Sequence, residues 1–165
     1  MTESEHVRIK PVPPAEVAAA AELVTRVFEQ FVAPQFPPEG VSEFLSYATI
    51  AALEQRMAEG NLFLAAWSGE RMTGFIEVRG LEHIAMFFTE GSLQGQGLGR
   101  SLLGRALEVC LKQKPDLERL TVNASPNAVD AYRRLGFKST GGMQTHNGIS
   151  FVPMALAINT DSGHT

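Results

Sequence analysis

The chain has 165 residues, 44% hydrophobic and 19% charged, with a formal net charge of −4. That is one domain able to bury roughly two-thirds of its unfolded surface. The acidic balance argues against a nucleic-acid-binding surface, which needs a basic patch, but leaves room for a locally positive site that takes a small anion.

Cys110 is the single cysteine, so no internal disulfide can form, which fits a reducing compartment and points to the cytoplasm. MTESEHVRIK lacks the apolar core of a signal peptide, and no apolar run reaches the roughly 18 residues a membrane span needs. His6, His83, His146 and His164 are scattered and give no close-spaced ligand pair, so no metal site is expected.

In chain order, VRIKPV (Val7–Val12) alternates like a short strand. After Pro13 and Pro14, the segment Ala15–Ala33 places Leu23, Val24, Val27, Phe28 and Phe31 at helical spacing. The proline-rich APQFPPEG breaks that helix, and a second helix is predicted over Ser42–Met57. NLFLAAW and MTGFIEVR then read as strands joined by a tight turn at Ser68–Arg71, with LEHIAMFF (Leu81–Phe88) as the next strand. A wide apolar stripe from Leu98 to Leu111 predicts a long helix stopped by Pro115. LERLTVNA is a strand. SPNAVDAYRRLG is a short helix with Ser125 at its N-cap, Pro126 in first position and Gly136 after its last turn. Phe137–Gln144 and Ile149–Ile158 form a final hairpin turned by Asn147-Gly148, the preferred type I′ pair. The expectation is an α+β, or mixed α/β, domain over residues 1–158 with a frayed tail at 159–165.

Between the third of the central strands and the long helix lies SLQGQGLGRSLL. A Walker A loop ending at Gly99-Arg100-Ser101 would need glycine where Gln94 stands and lysine where Arg100 stands. A dinucleotide fingerprint starting at Gly95 would need glycine at Arg100. What the segment does match is Gln/Arg-x-x-Gly-x-Gly/Ala, as Gln94-Gly95-Gln96-Gly97-Leu98-Gly99. This resembles the acyl-CoA loop of the GNAT N-acetyltransferase superfamily. Glycines let consecutive N–H groups converge and the helix start adds partial positive charge, so a pyrophosphate can be held by backbone donors. Arg100 either adds a phosphate contact or stays solvated.

A second match is independent of the first. Similar enzymes carry A-x-x-x-Y-x-x-x-G-F after the fifth strand, here Ala128, Tyr132, Gly136 and Phe137. The resemblance implies a mixed, mostly antiparallel sheet of about seven strands flanked by about four helices. It implies acetyl-CoA as co-substrate, no metal, and direct transfer to an amine on a small molecule or peptide. Tyr132 falls at the position of the general acid that protonates the departing CoA thiolate; a thiol pKa of about 8.5 and a tyrosine pKa of about 10 make that exchange reasonable. Phe88 and Thr89 fall where these enzymes splay two strands and free backbone donors for the thioester oxygen. Ser125 stands where many relatives have an asparagine facing the pantetheine arm, with Asn123 and Asn127 close by.

For the base that deprotonates the acceptor, His83 and Glu77 are candidates, each with an equally good structural reading, and a water relay needs neither. Acceptor choice in similar enzymes depends on the first two helices. Here that region holds Phe31, Phe36, Phe44 and Tyr47 beside Glu39 and Glu43; an aromatic wall with carboxylates suits a cationic amine, and the same rings fit a core equally. Cys110 lies in the apolar stripe of the long helix, placed for packing rather than attack. The alternative to an enzyme is a non-catalytic acyl-CoA-binding or regulatory domain, and a homodimer stays open.

Overall fold

The computed structural model describes residues 7–90 and 97–158. The elements run β1 (Val7–Pro11), α1 (Val17–Phe31), α2 (Pro38–Tyr47), α3 (Ile50–Ala58), β2 (Leu62–Ser68), β3 (Arg71–Arg79), β4 (His83–Thr89), α4 (Leu98–Gln113), β5 (Arg119–Ala124), α5 (Val129–Arg134), β6 (Lys138–Ser139), β7 (Gln144–His146) and β8 (Ile149–Ala157). The expected class holds, a mixed sheet with helices on both faces. The tail at 159–165 and the loop residues Gln94, Gly95 and Gln96 lie outside the described residues.

The strands are ordered β1-β2-β3-β4-β5-β8-β6, with β7 also on β8. Every pairing is antiparallel except β4 with β5. On one face Leu64, Ile76 and Val78 pack with Leu102, Ala106 and Cys110 of α4. On the other, Phe63, Ala65 and Phe75 pack with Leu23, Val24 and Val27 of α1. Both faces are therefore covered, which is why β2 is buried from Phe63 to Trp67 rather than alternating.

Two predicted elements divide. The helix expected over Ser42–Met57 is two helices, because Thr49 is extended (φ −70°, ψ 155°) and its hydroxyl accepts from the Ala52 amide as an N-cap. The strand expected over Phe137–Gln144 becomes β6 and β7. Thr140 donates to the Pro153 carbonyl, but Pro153 has no N–H to return, so the ladder stops there. Gly141 and Gly142 follow before Gln144 pairs with Phe151. The turn itself forms as expected, with Asn147 at φ 51° and Gly148 at φ 81°.

That hairpin tip meets α2 backbone to backbone. A Cβ on Gly40 would overlap the Gly148 carbonyl, and one on Gly148 would crowd the Gly40 amide and Cα. Asn147 also donates to Glu43 at 3.4 Å. Only paired glycines let these two segments approach so closely.

Candidate active site

The site begins as a break in the sheet. β4 and β5 pair only through His83↔Thr121 and Ile84↔Val122. Beyond that, β5 follows β8 to Ala124↔Val152, while β4 follows β3 to Thr89↔Gly74. The strands diverge beside Ala85, which is bulged out of the β3–β4 ladder: Glu77 pairs with Met86 and Val78 with Ile84. A bulge adds twist and re-aims the side chains after it. Ile84 and Phe87 consequently share the α4 face, whereas Met86 and Phe88 pack toward α1.

The gap opens a cavity of ≈ 300 Å³ whose lips are Ala85–Thr89 of β4 and Val122, Asn123 and Ser125 at the end of β5. Backbone direction follows from the ladder. The Glu90 amide donates to the Thr73 carbonyl at 2.9 Å, so alternation turns the Phe88 amide toward β3 and the Phe87 amide into the gap. Side-chain patterns carried no sign of Phe87. Phe88 sits edge-on to Phe44, ring centroids 5.8 Å apart, and Thr89 is buried with its methyl close to Gly74.

On the α5 face of the gap stands Tyr132, 5% exposed and lining the cavity. Its placement is written in the helix end. Gly136 is left-handed at φ 107°, its amide donates to Arg133 and the Phe137 amide reaches back to Tyr132. This is the Schellman arrangement, in which the residue after the glycine packs against the residue five before it. Here the Phe137 ring meets Tyr132 edge to face at 5.2 Å. Burial pushes the phenol well above its ordinary value, so it is protonated at neutral pH. Its hydroxyl makes no side-chain hydrogen bond among the described residues, and the residue lines the cavity.

The α4 N-terminus flanks the same lip, with Leu98 and Thr89 both close to Gly74. Gly97 caps the helix in the left-handed region (φ 76°), accepts from the Ser101 amide, and has open space where a Cβ would stand. The first turn carries no acidic side chain, and Gly99 is buried. These features suit an anion on free N–H groups. Arg100 donates to the Arg134 carbonyl at 3.0 Å, tying α4 to the last turn of α5.

Ser125 is not a side-chain cap: its hydroxyl donates to Asn127 Oδ1 at 2.9 Å, and Asn127 Nδ2 donates to the Phe31 carbonyl at 2.8 Å. The loop before α5 is thus anchored to the end of α1. Asn123 lies at the cavity lip on the opposite sheet face from Val122, solvent-exposed.

The two base candidates sit elsewhere. His83 begins β4, with Nδ1 2.7 Å from Thr121 Oγ1; burial, then the Arg79 charge, hold its pKa below 6.5 against the pull of Glu82. Five residues separate it from Phe88, about 16 Å of strand. Glu77 is fully buried and takes Arg56 Nε at 2.6 Å, Arg56 Nη2 at 3.0 Å and Asn61 Nδ2 at 2.7 Å. Arg56 also donates to the Tyr47 carbonyl at 2.9 Å, so this cluster holds α2 and α3 on the sheet. Glu90 would be pushed up by burial, but Arg71 and Arg26 outweigh it and keep it below the usual range. Cys110 is buried, and burial raises its thiol to about 11.

Among the described residues no group of three or more His, Cys, Asp or Glu could hold a metal, and no helix is long and apolar enough to cross a membrane.

The architecture is that of GNAT acetyltransferases. The fold superposes on a GCN5-related N-acetyltransferase from Rhodopseudomonas palustris with a TM-score of 0.78 at 22% identity, covering 92% of this chain and 95% of that one. It superposes on the PaiA N-acetyltransferase of Thermoplasma acidophilum, crystallised with coenzyme A, with a TM-score of 0.73 at 15% identity, covering 92% and 99%. In sequence, the Acetyltransferase (GNAT) domain matches residues 32–158. Peptidyl-lysine N-acetyltransferase YjaB of Salmonella typhimurium is 31% identical over 107 residues, 62% of this chain and 70% of the relative. The chain belongs to the GNAT family and is an acyl-CoA-dependent N-acetyltransferase.

Proposed function

We propose that this enzyme transfers the acetyl group of acetyl-CoA directly to an amine acceptor, with Tyr132 as general acid. One observation carries the reading: the β4–β5 gap passes through the sheet, with Tyr132 at its α5 mouth and, as part of the same cavity, an apolar chamber at its α1 mouth. Donor and acceptor can then enter from opposite sides and meet between the strands, which supplies proximity without a covalent enzyme intermediate.

In this reading the amides of the α4 first turn, with Gln94–Gly99 and Arg100, hold the pyrophosphate. Asn123 and Ser125 border the pantetheine arm. The Phe87 amide, beside Phe88 and Thr89, donates to the thioester oxygen as negative charge develops. Tyr132 gives its proton to the sulfur as the C–S bond breaks, and regains one through water from the acceptor nitrogen. Cys110, protonated and buried, takes no part. One buried free thiol supports a reducing, cytoplasmic setting.

Thermal unfolding of stripped protein tests the donor. Acetyl-CoA at about 100 times its dissociation constant adds about 2.7 kcal/mol of stability, where NAD and ATP add none. A shift by acetyl-CoA without thiol release to any amine would leave a binding domain instead.

A further inference from the structure

The chamber at the α1 mouth has a composition of its own. Phe31 at the end of α1, Phe36 in the following loop, Phe44 on α2, Phe88 on β4 and Phe151 on β8 are half-buried rings that line it. Phe28 backs them, stacked on Phe44 at 4.0 Å and 16° and 5.9 Å from Phe36. Among the described lining residues Tyr132 alone is ionisable. Residues 91–96, GSLQGQ, carry no ionisable side chain either.

The carboxylates that the sequence places near this wall do not reach it. Glu39 is exposed and Glu43 is half-buried beside Asn147; neither lines the cavity. Glu77 and Glu90 are engaged by arginines. Three of the polar side chains in the wall are already engaged: Ser125 with Asn127, Asn127 with the Phe31 carbonyl, Ser150 with Thr145.

From this charge-free aromatic chamber we infer that the acceptor is a primary aromatic amine, unprotonated at neutral pH and carrying no second charge. The inference rests on the acetyl-transfer reading. An alkylammonium would leave water for a chamber with no counter-ion, and that desolvation outweighs the attraction ring faces return to a cation. It would also need a base that the wall does not offer. An aromatic amine needs neither, because its lone pair is already free, and its ring stacks on phenylalanine. The whole cavity, at ≈ 300 Å³, is at the small end of ligand sites, about 300–1,000 Å³, and the chamber is only part of it, so nothing larger than a single ring fits its scale.

The step balances without an added base. The nitrogen lone pair forms the bond to the acetyl carbon, the C–S electron pair leaves with sulfur, and the proton nitrogen loses replaces the one sulfur gains through Tyr132. No proton reaches solvent. An ammonium acceptor would release one proton per turnover.

The test compares 4-methylaniline, 1,5-diaminopentane and a lysine-containing peptide on the whole chain with acetyl-CoA, following thiol and proton release. Saturation-transfer NMR on CoA-saturated protein reads binding apart from turnover. The expected result is 4-methylaniline preferred by at least about tenfold, a difference of about 1.4 kcal/mol, bound in the absence of turnover. Its use should release no net proton and stay flat between about pH 6 and 8. Phe36→Glu should move the preference toward the diamine, with one proton released per thiol. Faster use of the diamine or the peptide by the unmodified chain, no NMR contact with the aromatic amine, or an unchanged preference in a folded Phe36→Glu protein overturns the inference while leaving acetyl transfer standing. No thiol release to 4-methylaniline overturns the inference as well, whereas failure to bind acetyl-CoA overturns acetyl transfer itself.

Discussion

The two mouths of the gap are built by different means. At the α5 mouth, where the proposed reading seats the donor, the groups come from short contiguous runs: Tyr132 and its Schellman turn lie within one segment, and Gly97 opens directly into α4. At the α1 mouth, where the proposed reading seats the acceptor, α1, the loop after it, α2 and β8 converge from across the chain, joined by Asn147–Glu43, Asn127–Phe31 and the Gly40–Gly148 approach. One mouth depends on backbone conformation and the other on assembled side-chain shape. A backbone site can be damaged at a single residue, whereas an assembled one fails through the contacts that hold its pieces in place.

The largest effect should fall on the donor mouth. Tyr132→Phe keeps the ring packed on Phe137 and removes only the proton donor, so turnover should drop by about 10²–10⁴-fold. Acetyl-CoA affinity and acceptor KM should hardly change. Full turnover under conditions where chemistry is rate-limiting would remove Tyr132 from the mechanism.

Next comes the support of the acceptor mouth. Arg56→Met leaves Glu77 buried without its cation, which should cost about 3–5 kcal/mol of stability by denaturant unfolding. If α2 shifts with it, acceptor KM rises while the acetyl-CoA dissociation constant measured on the folded fraction stays put. Equal losses at both mouths would contradict their independence.

A smaller and sharper cut is Gly40→Ala. Alanine favours a helix, yet its methyl meets the Gly148 carbonyl, so α2 and the hairpin must part, at about 1–3 kcal/mol. Acceptor KM should rise with acetyl-CoA binding intact. Gly142→Ala has open space around it and serves as the control in the same assay.

The smallest effect belongs to neither mouth. His83 is held below its ordinary pKa, so as pH falls the unfolded chain takes up a proton first and stability declines below about pH 6.5. Comparing thermal midpoints of wild type and His83→Gln at about pH 7.5 and about pH 5.5, the wild-type advantage should shrink at the lower pH. Activity at either mouth should be indifferent to the substitution at pH 7.5.

Legibility in the sequence follows the same division. Gly136 could be read as the helix end because the capping signals are local, whereas Tyr132 and Phe137 stood out only through the family resemblance. The Asn147-Gly148 turn was readable because its signal is local too. The break at Thr49 was hidden, since a threonine amid alanines looks like helix interior until its hydroxyl is seen capping Ala52. The loss of ladder at Thr140 originates across the sheet, in Pro153. Glu77 looked like a free carboxylate because Arg56 and Asn61 arrive from another element. The Phe87 amide is a backbone donor, so no side-chain pattern encodes it. Phe31, Phe36 and Phe44 were legible as a group, but whether Glu39 and Glu43 faced the same space was a tertiary fact.

The short parallel ladder at His83–Ile84 has a mechanical meaning as well. Among the described residues it is the sole strand pairing between two half-sheets, β1–β4 and β5–β8, each laddered within itself. The seam is thinly hydrogen-bonded, although one hydrophobic core runs beneath both half-sheets, from Leu64 and Ile76 to Leu120 and Met154. Anything that fills the gap adds contacts where the backbone ladder supplies few, so occupancy should slow amide exchange at the facing ends of β4 and β5.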